Sequence, residues 1–519
     1  MKDNTRLLKI LKNVEVIGNK LPHPATIFLL LSVIVIIASE ILFRAGVSVE
    51  YIGFKDGVET TIKTSVKSLM NLEGIKVILT RALPNFIGFA PLGVVLIAML
   101  GIGISESSGL ISVILRLIVL KTPKRLITSV VVFTGIMSNV ASDVGYVILI
   151  PLGAIIFHMM GRHPLAGFAA TFAGVSGGFS ANLLIGTVDI LLAGFTNSAT
   201  SIINPNYTIT STANYYFMVV STFLLTIVGT IVTEKIVEPS LGKYEGDVDD
   251  STEKLKMEIT NIEKKGLFFA ILSIIIFSII IALLVVPKNA VLRGENGDIL
   301  RSPFMNSLVV IISLVFFIPS VVYALITKKF KSDKDIASAM TKSMSSLGSY
   351  LVLSFFASQF VYYFSYTNIG TIISVTGANL LKASGFTGIP LIVTFVILAA
   401  FINLFMGSAS AKWAIMAPIF VPIFMQLGYS PELTQLAFRI GDSTTNIITP
   451  LMTYFAMILV FAEKYTVKKE NEKSSGIGTI ASMMLPYSIF FLVSWIILLI
   501  VWMLLGLPIG IGGSIHYNP

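Results

Sequence analysis

A chain of 519 residues in which 55% are hydrophobic, 13% are charged and none is cysteine excludes an ordinary soluble globule, a disulfide framework and any thiolate metal site. Its mean hydropathy of +0.87, carried by apolar runs near the ~20 residues that cross a bilayer, points to an all-α polytopic membrane protein without room for a large soluble domain. The formal net charge of +9 would suit nucleic acid, but the basic residues fall on the loops of one membrane side, so no nucleic-acid partner is expected.

Residues 1–83 open with a basic amphipathic segment, Met1 to Leu21, expected as a cytoplasmic interfacial helix. Pro24 then starts a run to about Ala45. It is too long for a signal-peptide core and lacks a small-residue cleavage site, so it is expected as a retained first span, with an external segment after it.

Residues 84–236 form a compound unit. A span from Phe86 to Ile104 leads past Gly109 to a short amphipathic stretch. Segment 126–157 is apolar at both ends and polar at its middle, Met137-Ser138-Asn139-Val140-Ala141-Ser142-Asp143, which predicts a re-entrant hairpin. Segment 163–196 is broken at Val175–Ser180 and carries Asp189 in its second half. Such breaks are tolerated only where they are buried in protein or line a cavity. A plain span, Asn214 to Val232, closes the unit.

Residues 237–339 hold a charged cytoplasmic loop and two scaffold spans, and residues 340–506 then repeat the first plan. The second unit has a hairpin at 390–425, a broken helix at 432–461 and a closing span, and an external tail occupies 507–519. Gly109 and Gly370 are 261 positions apart, Tyr146 and Trp413 are 267 apart, and Gly178 and Gly441 are 263 apart, as an internal duplication requires. The distribution of Lys and Arg puts the amino terminus inside and the carboxyl terminus outside. The expectation is nine transmembrane helices plus two re-entrant hairpins, with the two units inverted. This inverted-repeat core with discontinuous helices is the architecture of secondary transporters.

The stretch Phe401–Pro450 carries Asn403, Lys412, Arg439, Asp442 and Asn446 at membrane depth. A charge there costs at least ~2.5–3.5 kcal/mol and so needs a partner or a watery cavity. This is the candidate transport site.

The opening GNKLPHPATIFLLL, the tip GSASAKWAIMAPIFVPIF and the run AFRIGDSTTNIITPLMTYF resemble the AbgT family of p-aminobenzoyl-glutamate transporters, within the wider ion transporter superfamily. The resemblance spans essentially the whole chain. It implies a homodimer in a bacterial-type cytoplasmic (inner) membrane, each protomer having a core that moves against a scaffold. It also places the family's functional acidic residue on Asp189, its tryptophan on Trp413, its proline on Pro431 and its arginine on Arg439. A cation-coordinating group falls on Asn403, Asp442 and Asn446.

Such a ligand, a small aromatic carboxylate, wants cationic donors, helix N-termini and an aromatic wall. Arg439 can grip a carboxylate with two prongs and Lys412 can add a point charge. Ser408 and Ser410 offer hydroxyls, and Trp413 and Tyr146 offer stacking faces. Half-helices restarting after Gly178-Phe179-Ser180 and Gly441-Asp442-Ser443 would aim N–H groups at the site. Sodium needs hard oxygen donors, which Ser138, Asn139 and Asn182 offer in one unit and Asn403, Asp442, Thr445 and Asn446 in the other. Proton coupling would use Asp189 or Asp442 instead, and the choice between sodium and proton stays open. No organic cofactor is expected.

Plainer roles compete. Asp442 could cap a half-helix and pair with Arg439, Lys412 could pair with a carboxylate, and Trp413 could be packing. Asp143 competes with Asp189 but could only satisfy the hairpin tip. Asn182 and Asn446 could mend broken backbone, and Pro431 could be structural. A channel would show a repeated filter. A hydrolase built on Ser408 or Ser410 with Lys412 lacks an oxyanion hole, and no P-loop is present. The expectation is therefore not an enzyme but a cation-coupled importer, the alternative being a proton-coupled antiporter exporting sulfonamide-type antimetabolites.

Overall fold

The computed structural model describes residues 22–55, 58–120, 122–141, 145–244, 259–287, 289–294, 297, 302–449, 451–452, 454–465 and 477–517. The expected interfacial helix 1–21, the residues Ser142 and Asp143, and residues 245–258 of the charged loop lie outside these.

The first span is α1 (Pro24–Arg44), with Pro24 in its first turn, where a missing N–H costs nothing. The next two elements depart from an all-α fold. Strands β1 (Ser48–Lys55) and β2 (Val58–Ser65) pair antiparallel, with Ser48 opposite Ser65 and Lys55 opposite Val58. Their Val, Ile, Thr and aromatic content favours strand, and the sequence places Asp56-Gly57, a hairpin-turn pair, between them.

Helix α2 (Leu72–Ile87) leads to α3 (Ala90–Ser108), which ends where Gly109 adopts φ +82°, and α4 (Leu110–Leu120) follows. Next come α5 (Ile127–Met137), a tight turn over Ser138–Ala141, a wide turn over Gly145–Leu149, and α6 (Ile150–Met159). The first interrupted helix is α7 (Pro164–Phe172), a non-helical stretch near 178–186, and α8 (Thr187–Thr200). Helices α9 (Tyr215–Val232), α10 (Asn261–Val285) and α11 (Leu308–Ile326) are plain.

The second half contains α12 (Asp333–Ser346), α13 (Gly348–Tyr366), α14 (Ile369–Ala383), α15 (Gly388–Asn403) and α16 (Ala409–Gln426). The second interrupted helix is α17 (Pro431–Thr445) with α18 (Phe455–Lys464), and α19 (Ile477–Leu504) closes the chain. The break lies after Thr445, not at Gly441-Asp442-Ser443. Gly441 is there for packing. A Cβ on it would sit 2.3 Å from the Val396 carbonyl oxygen of α15, just as one on Gly174 would sit 2.4 Å from Val132 O of α5.

Among the described residues, seven helices are long and apolar enough to cross a membrane, or eight if the pair Asp333–Ser345 and Gly348–Tyr366, bent by 45°, is one span. The interrupted helices do not qualify, because their pieces hold only 9, 14, 15 and 10 residues. The surface is apolar where a soluble protein's is polar: Ile41, Ile276 and Leu283 are exposed. Inside, α3 packs on α11, α15 on α17 and α16 on α8. The two interrupted helices thereby lie against the hairpin-like segments at the centre.

Candidate functional site

The site grows from α17, all fifteen of whose residues are buried. Pro431 occupies its first turn and the Ser430 hydroxyl accepts from Leu433 N at 3.1 Å, so Pro431 starts a helix here. Glu432, Gln435, Arg439 and Asp442 recur at helical spacing and form one buried polar stripe, whose members must all find partners.

Asp442 finds Lys412. The Lys412 Nζ lies 2.5 Å from Asp442 Oδ1, with side chains 0% and 1% exposed. The contact is an ion pair sealed from solvent. Lys412 also donates to Asn403 Oδ1. The amide of Asn403 then faces the other way. Its Nδ2 lies 2.6 Å from Asp442 O, 2.8 Å from Thr445 Oγ1 and 2.9 Å from Asn446 Oδ1, so two N–H groups are shared among three acceptors. Of the residues expected to hold a cation, Asn403 and Asp442 meet the lysine ammonium, while Thr445 and Asn446 contact the Asn403 amide nitrogen instead.

Arg439 points away from this cluster. Its Nη1 is 2.7 Å from Asp189 Oδ1 and its Nη2 donates to Ser180 O at 2.8 Å, while Nε has no hydrogen-bond partner. The Arg439–Asp442 pairing suggested by their spacing does not form. Two separate pairs form instead, because α8 brings Asp189 to Arg439 and the start of α16 brings Lys412 to Asp442. Asp189 also accepts from Gly186 N at 2.8 Å and so caps α8.

Trp413 is fully buried. Its ring stacks on Phe438 at 4.6 Å between centroids, and Nε1 donates to Thr196 Oγ1 at 2.9 Å. Phe438 thus occupies one face of the ring. Thr196 opens a polar ladder that sequence reading missed. Its hydroxyl lies 2.7 Å from Gln435 Oε1, Gln435 Nε2 donates to Asn214 Oδ1 at 2.8 Å, and Asn214 Nδ2 donates to Glu432 O at 2.9 Å. Tyr207 OH donates to Glu432 Oε1 at 3.0 Å. The spacing of Glu432, Gln435, Arg439 and Asp442 was the available signal.

Beside these pairs lies a cavity of about 250 Å³. Ser408 and Ser410 line it from the start of α16, Asn446 and Tyr454 from the second break, and Asn139, Tyr146 and Thr187 from the first half of the chain. Tyr146 and Tyr454 stack at 4.8 Å. The first turn of α8 opens on it, presenting the partial positive charge of a helix N-terminus. Asp189, Lys412, Trp413, Pro431 and Arg439 lie behind this lining. Ser408 Oγ and Ser410 Oγ are 3.2 Å apart, but the Lys412 ammonium is committed to Asn403 and Asp442, so no Ser–Lys dyad assembles.

In the first half, Ser138 Oγ donates to Gly135 O at 2.6 Å and Asn139 Nδ2 to Ile136 O at 3.1 Å. Asn182 Oδ1 accepts from Leu184 N at 3.2 Å. These side chains mend local backbone, and no hydrogen bond among them is formed. Asn139 Oδ1 is buried without a partner at the cavity.

Interrupted helices, ion pairs at depth and a central cavity define a multi-pass helical membrane protein organised around a solute-sized site. The chain belongs to the AbgT transporter family, whose profile matches residues 9–517. It is 38% identical over 500 residues to the p-aminobenzoyl-glutamate transport protein of Escherichia coli (strain K12), covering 96% of this chain and 95% of that one. Among solved structures it is similar to MtrF of Neisseria gonorrhoeae, described with a class of antimetabolite efflux pumps. That match has 50% identity and a TM-score of 0.90, over 97% of this chain and 100% of the other. The YdaH transporter of Alcanivorax borkumensis matches with 42% identity and a TM-score of 0.86, over 94% and 100%. The family and these relatives are transporters, not enzymes.

Proposed function

We propose that this chain is a secondary active transporter of p-aminobenzoyl-glutamate, driven by a cation gradient across the bacterial inner membrane. The observation that carries the reading is the cavity between the two halves of the chain, walled by Tyr146 and Tyr454, edged by Ser408 and Ser410 and faced by the start of α8. An aminobenzoyl ring suits the aromatic wall, and a carboxylate suits the helix N-terminus. The second carboxylate engages Arg439 by displacing Asp189, which lies two positions beyond Thr187 of the lining. Lys412, Trp413 and Pro431 hold this arrangement from behind.

The reading includes nine spans, two re-entrant hairpins and two inverted units moving together, elevator-like, against the scaffold. The paired close approaches support the duplication. Gly174 and Gly441 are 267 positions apart, and the carbonyls they meet, Val132 and Val396, are 264 apart. Asn139 and Asn403 are also 264 apart, each at the end of a hairpin arm. The protein works as a homodimer with its amino terminus inside and its carboxyl terminus outside. The coupling ion is sodium or a proton, read out at Asn403, Asp442, Thr445 and Asn446 or at Asp189, with Ser138, Asn139 and Asn182 as the counterpart cluster. A second reading, proton-coupled export of sulfonamide-type antimetabolites, draws on the 50% identity to MtrF.

The test is uptake of labelled p-aminobenzoyl-glutamate into proteoliposomes under a sodium gradient, a proton gradient or neither, with sulfanilamide as competitor. Gradient-driven accumulation is expected. Proton-dependent movement of the sulfonamide alone would replace this reading with the exporter, and no transport of either would overturn both.

A further inference from the structure

We propose that Lys412 is a built-in cation. Its ammonium fills the monovalent-cation site that Asn403 Oδ1 and Asp442 would otherwise form, so this half of the core takes no sodium unless Lys412 is removed, and of the two coupling readings above any sodium coupling must lie elsewhere in the core. For its meaning in coupling the inference rests on the transporter reading, but the occupancy of the site does not.

The surroundings select a cation. Helices α15 and α17 end here, at Asn403 and Thr445, so the partial negative charge of two C-termini converges on the Asp442 carboxylate. The ammonium sits among them, 2.5 Å from Asp442 Oδ1 and bonded to Asn403 Oδ1. Lysine suits this role, being a compact point charge on a flexible stem. It is not there for helix stability. It lies in the first turn of α16, where the helix dipole opposes a cation. A second cation beside the sealed ammonium would meet direct like-charge repulsion at low dielectric.

The other half of the chain supplies a control. At the 267-position offset that relates Tyr146 to Trp413, Lys412 corresponds to Gly145 and Asp442 to Val175. Gly145 packs there against Ser138 and Val175: a Cβ on it would lie 2.1 Å from Ser138 Oγ and 2.9 Å from a Val175 methyl. The two charges are present together in one half and absent together in the other. That is the pattern expected if the lysine serves the aspartate.

The experiment is thermal unfolding of the detergent-purified full chain, titrating sodium against choline at constant ionic strength. The wild type is expected to show no sodium-specific change in Tm, and Lys412→Arg, which keeps the charge, should match it. Lys412→Met and Lys412→Gln should each gain a saturable sodium-dependent rise of a few degrees. The rise should disappear when Asp442→Asn is added. A variant that folds only in sodium shows the same gain.

A saturable sodium-specific rise in the wild type that Asp442→Asn removes would overturn the proposal. So would failure of both Lys412→Met and Lys412→Gln to respond. Uptake measured in parallel separates the two readings. Lost transport with the sodium pattern intact removes the function and leaves the site, whereas sodium binding by an active wild type does the reverse.

Discussion

The two ion pairs of the core share one helix but differ in what they join. Lys412 and Asp442 both come from the second half of the chain and are sealed, at 0% and 1% exposure. Arg439, one turn earlier on α17, reaches across to Asp189 of the first half, whose carboxylate remains 13% exposed just behind Thr187 and Val188 of the cavity lining. A sealed pair within one half is a fixed neutralisation: neither charge can be taken up by a solute without unpacking the start of α16. A pair that spans both halves beside a cavity can be opened by an anion that outcompetes one partner. Position on α17 therefore matters less than which distant segment docks opposite each residue.

The largest expected effect comes from breaking the sealed pair. Asp442→Asn leaves the Lys412 ammonium buried beside a neutral amide, which costs about 3–5 kcal/mol. Denaturant unfolding should show that loss, and Lys412→Met in the same chain should recover most of it. A single variant as stable as wild type would mean that the pair is not ionised in the interior. Asp189→Asn should cost less, between that figure and the ~1 kcal/mol of an exposed pair, while weakening substrate affinity less than Arg439→Ala does. Equal stability losses for Asp189→Asn and Asp442→Asn would erase the distinction between the two pairs.

Gly441→Ala tests the close approach that lets α17 present both charges. Its Cβ would meet the Val396 carbonyl oxygen at 2.3 Å, a backbone atom that cannot swing aside, so a loss of about 1–3 kcal/mol is expected. Gly93→Ala, with nothing within 4 Å, is the matched control and should be neutral or slightly stabilising. The smallest effect belongs to Trp413→Phe. It keeps the stack on Phe438 but removes the bond to Thr196, for about 1 kcal/mol. Substrate affinity that falls far more than stability would give Trp413 a direct ligand contact after all.

Much of this molecule is legible in its sequence, and the misses share a cause. Apolar runs announce the membrane class, but sequence spacing pairs Gly441 with Gly178, whereas the glycine that meets a neighbouring helix's carbonyl as Gly441 does is Gly174. The β1–β2 pair carries a readable signal in Asp56-Gly57 and its Thr-rich flanks, hidden by the helical character of everything around it. Gly441-Asp442-Ser443 looks like the break at Gly178-Phe179-Ser180, yet the helix runs on to Thr445. A glycine that relieves a backbone approach and one that ends a helix are the same letter.

Hydropathy and helical spacing are local properties, so the sequence by itself determined the membrane class and the existence of the two interrupted helices, and it carried, unread, the spacing of Glu432, Gln435, Arg439 and Asp442. The partners were decided only by tertiary structure. Arg439 and Asp442 stand one turn apart and could have satisfied each other, but α8 brought Asp189 to one and the tip of α16 brought Lys412 to the other. Likewise it is tertiary packing that lays Phe438 on one face of Trp413. A buried charge or ring must be matched by whatever docks against it, and the docking of segments hundreds of residues apart is not written in the spacing of either one.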